Sequence, residues 1–226
     1  MKSNEAIIYH GSVSVIEKPE FGKGKPHNDY GMGFYCTEDP ELAKEWAVDE
    51  NIDGYANKYS LDLEGLNVLN LSKEATVLNW IALLLQNRVF SLKTDISKQG
   101  KAFLIENYSL AVEKYDVIKG YRADDSYFAY AESFLANTIS VRRLSEALRL
   151  GDLGEQIVLK SEKAFGRIRF LGYEKADCGI YYPMRQQRNL SARRAFLDNR
   201  RGLPSNDDLY LIDIMRGIPK DDPRIQ

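Results

Sequence analysis

Two ordered segments hold the residue types most suited to chemistry. The first is IIYHGS, Ile7 to Ser12, an apolar run that ends in His10, Gly11 and Ser12. The second is DYGMGFYCTEDPELAKEWA, Asp29 to Ala47, which carries Gly33, Tyr35, Thr37 and Trp46. Taken singly, a histidine at a strand end is a structural residue, and Tyr35 and Trp46 are core aromatics. Further along, Glu155 and Gln156 open an apolar run. Side chains alternate along a strand, so the two cannot face the same cleft. Their chemistry also differs, because a carboxylate can serve as a general base and an amide can only hydrogen-bond. Between Arg185 and Arg201 lie six arginines and one acid, Asp198. Such a stretch reads as a solvated helix face, or as a surface for phosphate or carboxylate, which guanidinium groups bind in a bidentate way. Other chemistries are absent. The chain has two histidines and two cysteines, none with metal-ligand spacing, so no metal is expected. No Gly-x-x-x-x-Gly-Lys-Ser/Thr segment occurs, which excludes a P-loop. FGKGKP, Phe21 to Pro26, has no helix start behind it and reads as a plain loop, and the lone GMG is too short for a dinucleotide fingerprint.

In order, the two segments resemble the ADP-ribosyltransferase superfamily, in the branch related to poly(ADP-ribose) polymerases and diphtheria toxin. There a strand ends in His-Gly-Ser or His-Gly-Thr, and Gly-x-Gly-x-Tyr follows after a loop, then a helix bearing an aromatic. Tyr35 fits the tyrosine position and Trp46 the aromatic. GYRADDSYFAYAESFL, LGEQIVLKSEKAFGRIRFLG and LYLIDIMRG extend the likeness to a bacterial subfamily known only as a domain of unknown function, from Ile7 to about Arg216.

The resemblance implies NAD as substrate and a split β-sheet around an NAD cleft. Breaking the nicotinamide–ribose bond passes through an oxocarbenium-like state, which a protein assists by fixing conformation and aiming dipoles. On this reading His10 hydrogen-bonds a ribose hydroxyl, the Gly11 backbone approaches the carboxamide and Ser12 adds a hydroxyl. Tyr35 and Trp46 sandwich the nicotinamide, with Gly33 and Thr37 beside them. The third member of the family's triad is usually a glutamate. Glu155 and Gln156 compete for it, and the subfamily's glutamine before Ile-Val points to Gln156. An amide there argues against chain extension and favours a single transfer, to a protein or nucleic acid. A toxin or defence effector, with a neutralising partner, fits that role. An NAD glycohydrolase or a catalytically silent NAD-binding module shares the same residues. Asp125 reads first as a helix cap, and with Tyr127 alternatively as part of the acceptor side. Arg193 and Arg194 read as acceptor contacts, or as ion-pair partners of Asp207 and Asp208.

These residues need elements to hold them. Glu5 to Tyr9 reads as a strand, Pro19 to Gly33 as a loop, and Asp39-Pro40 as the cap and first residue of a helix burying Leu42, Ala43, Trp46 and Ala47. Two strands joined at Glu64-Gly65 follow from Tyr55 to Leu71. A helix runs from Ser72, its cap, to Asn87. Tyr115 to Tyr121, Gln156 to Lys160 and Ile168 to Tyr173 read as strands, the last two flanking a short helix. Helices are expected from Asp124 to Asn137 and from Ser140 to Leu150, closed by Gly151. The end is helical, with Asn206 as a cap and Gly217 as a stop. Strands and helices without regular alternation make the class α+β. With 44% hydrophobic residues in 226, one domain is expected, with helical insertions at about 72–150 and an arginine-rich helical segment at about 184–217. A net charge of −2, two cysteines, no signal-peptide pattern and no spanning segment predict a soluble, cytoplasmic protein without membrane contact.

Overall fold

The computed structural model describes residues 4–123, 125–147, 154–201 and 205–225. It is mixed α+β, with two sheets. The first sheet is antiparallel in the order β1-β3-β7, from β1 (Glu5–Ser12), β3 (Gly54–Asp62) and β7 (Ile168–Ala176). The second has the order β2-β6-β5-β4, from β2 (Phe34–Cys36), β4 (Val68–Asn70), β5 (Val117–Tyr121) and β6 (Glu155–Leu159). Only the β4–β5 pair is parallel. The sheets meet at one bridge, where Tyr9 and Thr37 exchange backbone hydrogen bonds of 2.8 and 2.9 Å. Beyond that bridge they part.

Helix α1 (Pro40–Ala47) forms where the sequence predicts. The Asp39 carboxylate accepts from the backbone N–H of Glu41 and Leu42, Pro40 opens the helix, and Leu42, Ala43 and Ala47 are buried. The helix expected from Ser72 to Asn87 is instead two. α2 (Leu71–Glu74) ends in extended residues, and α3 (Val77–Asn87) starts afresh at Thr76, whose hydroxyl and the Asn79 side chain cap each other's backbone. Ser72 is no cap, since its hydroxyl donates to Glu155. The strands on either side of Gly65 do not pair with one another, because β3 joins one sheet and β4 the other.

Helix α4 (Asp95–Tyr108) escaped the sequence reading. It buries only Ser97, Gly100, Leu104 and Tyr108, too sparse a stripe to announce itself. α5 (Asp125–Leu135) and α6 (Val141–Ala147) follow, and the predicted stop at Gly151 lies outside the described residues. After the short α7 (Glu162–Phe165) and β7 comes the longest helix, α8 (Cys178–Arg201). The last helix, α9 (Leu211–Met215), starts later than expected. Asp213 accepts from the Tyr210 N–H, and Asn206 plays no part in its first turn. Gly217, at φ 111°, follows its end.

The larger core gathers α3, α5 and α6 against Ile118 and Val158 of the second sheet. A smaller one, around Ile8, Cys36, Tyr59, Leu61 and Leu159, ties the two sheets together.

Candidate functional site

The site lies where the two sheets separate. His10 stands one residue past the Tyr9–Thr37 bridge, and its Nδ1 is 2.7 Å from the Tyr35 carbonyl. A carbonyl only accepts, so Nδ1 carries the hydrogen and Nε2 of the neutral ring is left as an acceptor. The Phe34 ring stacks on the imidazole, with centroids 4.3 Å apart. Burial lowers the His10 pKa and outweighs the opposing pull of the Tyr35 carbonyl, which favours that neutral form.

Gly11 has a clear steric reason. A Cβ there would sit 2.1 Å from the Ala43 carbonyl and 2.8 Å from the Ala47 nitrogen, so only glycine lets α1 pack on β1. This is a different reason from the ligand approach that the sequence suggested, and it does not conflict with it. Gly11 lies two residues beyond Tyr9, and ladder alternation turns its N–H and C=O toward the same edge that Tyr9 offers Thr37. There the sheets have already parted. Ser12 is committed locally: its hydroxyl donates to the Ser14 carbonyl and accepts from Asn57 Nδ2 at 3.1 Å. Thr37 contributes backbone to the bridge, and its hydroxyl accepts from the Asp39 N–H at 3.2 Å.

Two cavities open from this seam and share Asn28 and Tyr35. The larger, about 690 Å³, runs along His10, Gly11, Ser12, Gly33 and Phe34. The loop bearing Lys18, Lys23 and Lys25 walls it. That loop is packed against the body. A Cβ on Gly24 would meet the Gly33 carbonyl at 2.4 Å, and Lys160 Nζ reaches the Tyr30 and Met32 carbonyls at 2.5 and 2.6 Å.

The smaller cavity, about 220 Å³, is lined by Asp29, Tyr35, Trp46, Arg88, Arg122 and Gln156 among others. Tyr35 is fixed by its hydroxyl, which donates to the Gly31 carbonyl (2.6 Å) and accepts from the Tyr30 N–H (3.0 Å). Burial pushes that phenol well above its ordinary pKa, which removes it as a base. The Arg122 guanidinium lies 4.9 Å over the Trp46 ring. The Trp46 indole N–H is buried with no hydrogen-bond partner among the described residues.

Strand alternation separates the two candidates on β6. Gln156 is buried in the small cavity, where its Nε2 donates to Asp29 Oδ2 (3.0 Å) and to the Tyr121 carbonyl (3.2 Å). Glu155 points the other way, to the Ser72 hydroxyl and Lys119. Of the expected residues, His10, Gly11, Ser12, Gly33, Tyr35, Trp46 and Gln156 therefore line two neighbouring cavities that share Asn28 and Tyr35. Glu155 does not join them.

Asp29, Arg88 and Arg122 escaped the sequence reading. Asp29 is 4% exposed and takes hydrogen bonds from Arg88 Nε (3.0 Å), the Ala123 N–H (2.9 Å) and Gln156. Burial raises its pKa, opposed by the charge of Arg88 and by these hydrogen bonds. A lone acid in a loop, 59 residues from its arginine in sequence, leaves no local signal.

The arginine segment divides in two. Arg188 makes two hydrogen bonds, of 2.9 and 2.8 Å, to the buried Glu45 of α1, and Arg185 reaches the Val48 carbonyl and Asp49. Arg193 and Arg194 are exposed on α8. Among the described residues neither Arg193 nor Arg194 pairs with Asp207 or Asp208, and the Asp208 carboxylate is held by Arg142, Ser140 and the Ser205 N–H. Asp125 and Tyr127 lie at the start of α5, and their side chains are outside the described residues, so the cap expected of Asp125 falls outside them too.

Residues 6–170, from β1 into β7, match one family model. The chain belongs to the family described as "Protein of unknown function (DUF3990)". The matched span holds every residue of both cavities and stops short of α8. No curated protein and no solved structure matches the chain.

Proposed function

We propose that this DUF3990 protein binds NAD in the seam between its sheets and transfers the ADP-ribose to a macromolecule. The observation that carries the reading is the convergence of His10, Tyr35, Trp46 and Gln156, from four separate elements, on two cavities with Asn28 and Tyr35 in common, which we read as the two arms of one cleft. The arms suit the two ends of a dinucleotide. The small arm has aromatic walls and fixed polar groups, fitting a planar carboxamide ring between Tyr35 and Trp46. The large arm falls in the size range of ligand pockets and carries lysines, fitting the diphosphate and adenosine.

In this arrangement His10 Nε2 accepts from a ribose hydroxyl, and Gln156 Oε1 accepts from the second ribose hydroxyl. With Glu155 turned away, no carboxylate on β6 activates an acceptor in the cleft. The reaction is then a single transfer: the nicotinamide–C1′ bond breaks, nicotinamide leaves neutral with the bonding pair, an acceptor oxygen or nitrogen bonds to C1′, and the acceptor's proton passes to water. Arg193 and Arg194, exposed beyond the family-matched span, are the residues for holding an anionic acceptor.

Incubation with NAD labelled in its adenosine, together with cell lysate, tests the reading. Transfer predicts nicotinamide release and a macromolecule heavier by one ADP-ribose. Release with free ADP-ribose as the sole product would make the protein a glycohydrolase, and no release at all would remove the enzymatic reading.

A further inference from the structure

The family resemblance calls for a glutamate where β6 has Gln156, and the structure holds a buried acid that the resemblance does not call for. Asp29 is the one carboxylate among the described residues lining the small cavity. It comes from the loop before β2 and meets Gln156 from across the cavity floor. Both hydrogens of the Gln156 amide are committed, one to Asp29 Oδ2 and one to the Tyr121 carbonyl. With Asp29 ionised beside Arg88 neither partner donates, so turning the amide over would set two acceptors against its oxygen. What Gln156 has left for a ligand is Oε1, an acceptor.

We propose that Asp29 is a positioning residue of this site: by clamping the Gln156 amide, it makes position 156 present only an acceptor to the bound ligand. The role rests on the NAD reading, in which that acceptor takes a ribose hydroxyl. Asp29 and Gln156 together then do the orienting work of a single glutamate. The clamp also explains the glutamine. A glutamate at 156 would place a second carboxylate about 3 Å from Asp29 in a buried site, where both cannot ionise.

The groups facing the pair are Arg88 at the end of α3, Arg122 after β5, and the phenols of Tyr30 and Tyr35. Arg88 neutralises one carboxylate, and its Nε bonds Asp29 Oδ1, the oxygen that Gln156 does not use. The phenols stay protonated, because burial raises both. In Gln156→Glu one carboxyl of the pair therefore has its folded pKa raised above the unfolded value. Its stability is intact below about pH 4 and is lost as pH rises through the raised value.

The test is a cycle of Asp29→Asn, Gln156→Glu and the double variant on the whole chain, read by thermal unfolding across pH and by NAD titration. Gln156→Glu should show its smallest melting deficit near pH 4, where one hydrogen replaces the amide's two, and a deficit that widens toward about pH 8. In the double variant the new amide at position 29 donates to the new carboxylate at position 156, so its deficit should be smaller than the sum of the two singles. Each single variant should bind NAD at least tenfold more weakly than the parent. Additive deficits, a pH-independent deficit, or single variants that bind NAD as the parent does would overturn the positioning role. A parent that binds no NAD would bring the proposal down with the functional reading it rests on. That outcome is told apart from the proposal's own failure, in which the parent binds and the variants bind alike.

Discussion

The two arms of the cleft are built differently. The small arm is walled by α1, β6 and the residues just after α3 and β5, and its polar groups bond one another: Asp29 with Arg88, Ala123 and Gln156, and Tyr35 with Gly31 and Tyr30. The large arm is walled on one side by β1 and on the other by a loop whose lysines are exposed. Groups already hydrogen-bonded in place lose nothing by being ordered on binding, whereas exposed lysines attract charge from a distance and are screened by salt. The small arm is thus suited to orientation and selectivity, and the large arm to affinity that bends with conditions.

The largest effect should come from breaking the frame of the small arm. Arg88→Ala leaves the Asp29 carboxylate buried without its cation, a loss of about 3–5 kcal/mol in unfolding free energy at neutral pH. The sign with pH is set. Without Arg88 the already raised Asp29 pKa climbs further, so the deficit is full above it and shrinks as pH falls toward about 4, where a protonated Asp29 needs no cation. Denaturant titrations at several pH values check this, and a pH-independent deficit would break the contrast between the arms.

Next comes the seam itself. On the proposed function His10→Ala removes a hydrogen bond to a ribose hydroxyl and should weaken NAD binding or turnover by roughly tenfold to a hundredfold, with a small change in melting temperature. Because burial holds the His10 pKa below its ordinary value, the parent's NAD affinity should be flat above about pH 6.5 and fall below it as Nε2 gains a proton. His10→Gln should lose that dependence. Trp46→Ala should cost less, about 0.5–1.5 kcal/mol of binding for one stack.

In the large arm, replacing Lys18, Lys23 and Lys25 together by glutamine should leave stability within about 0.5 kcal/mol. NAD affinity should drop severalfold in low salt, and by progressively less as ionic strength rises. A loss that ignores salt would mean that the lysines make fixed contacts and that the arms are alike. Smallest in its effect on NAD should be Arg193→Ala with Arg194→Ala, which should slow modification of the macromolecule without changing NAD affinity. If the acceptor is a single-stranded nucleic acid, filter binding should show the salt slope flatten by about 0.7 for each arginine–phosphate pair removed.

What the sequence made legible follows from range. The α1 cap, the position of the β6 and β7 strands, and the opposed faces of Glu155 and Gln156 all rest on rules that act within a few residues, and the structure shows them. The break at Ala75–Thr76 was missed because the hydrophobic run from Val77 to Leu85 hides a new cap in front of it. Sheet membership was illegible as well: β4 and β3 are sequence neighbours that pair with partners far along the chain. At the site, His10, Tyr35 and Trp46 stood in recognisable segments. Asp29 and Arg88 gain meaning from hydrogen bonds that span 59 to 127 residues, and Arg122 from the distant Trp46 ring beneath it and from its charge near Asp29, none of which a local pattern encodes.

The decisive measurement is release of nicotinamide from NAD by the intact protein in the presence of cell lysate, set beside its His10→Ala variant. An NAD-dependent transferase should release nicotinamide and leave a macromolecule carrying one added ADP-ribose, with both lost in the variant while the fold is kept. A parent that leaves NAD untouched, or a folded His10→Ala variant that turns it over as fast as the parent, would contradict the assignment.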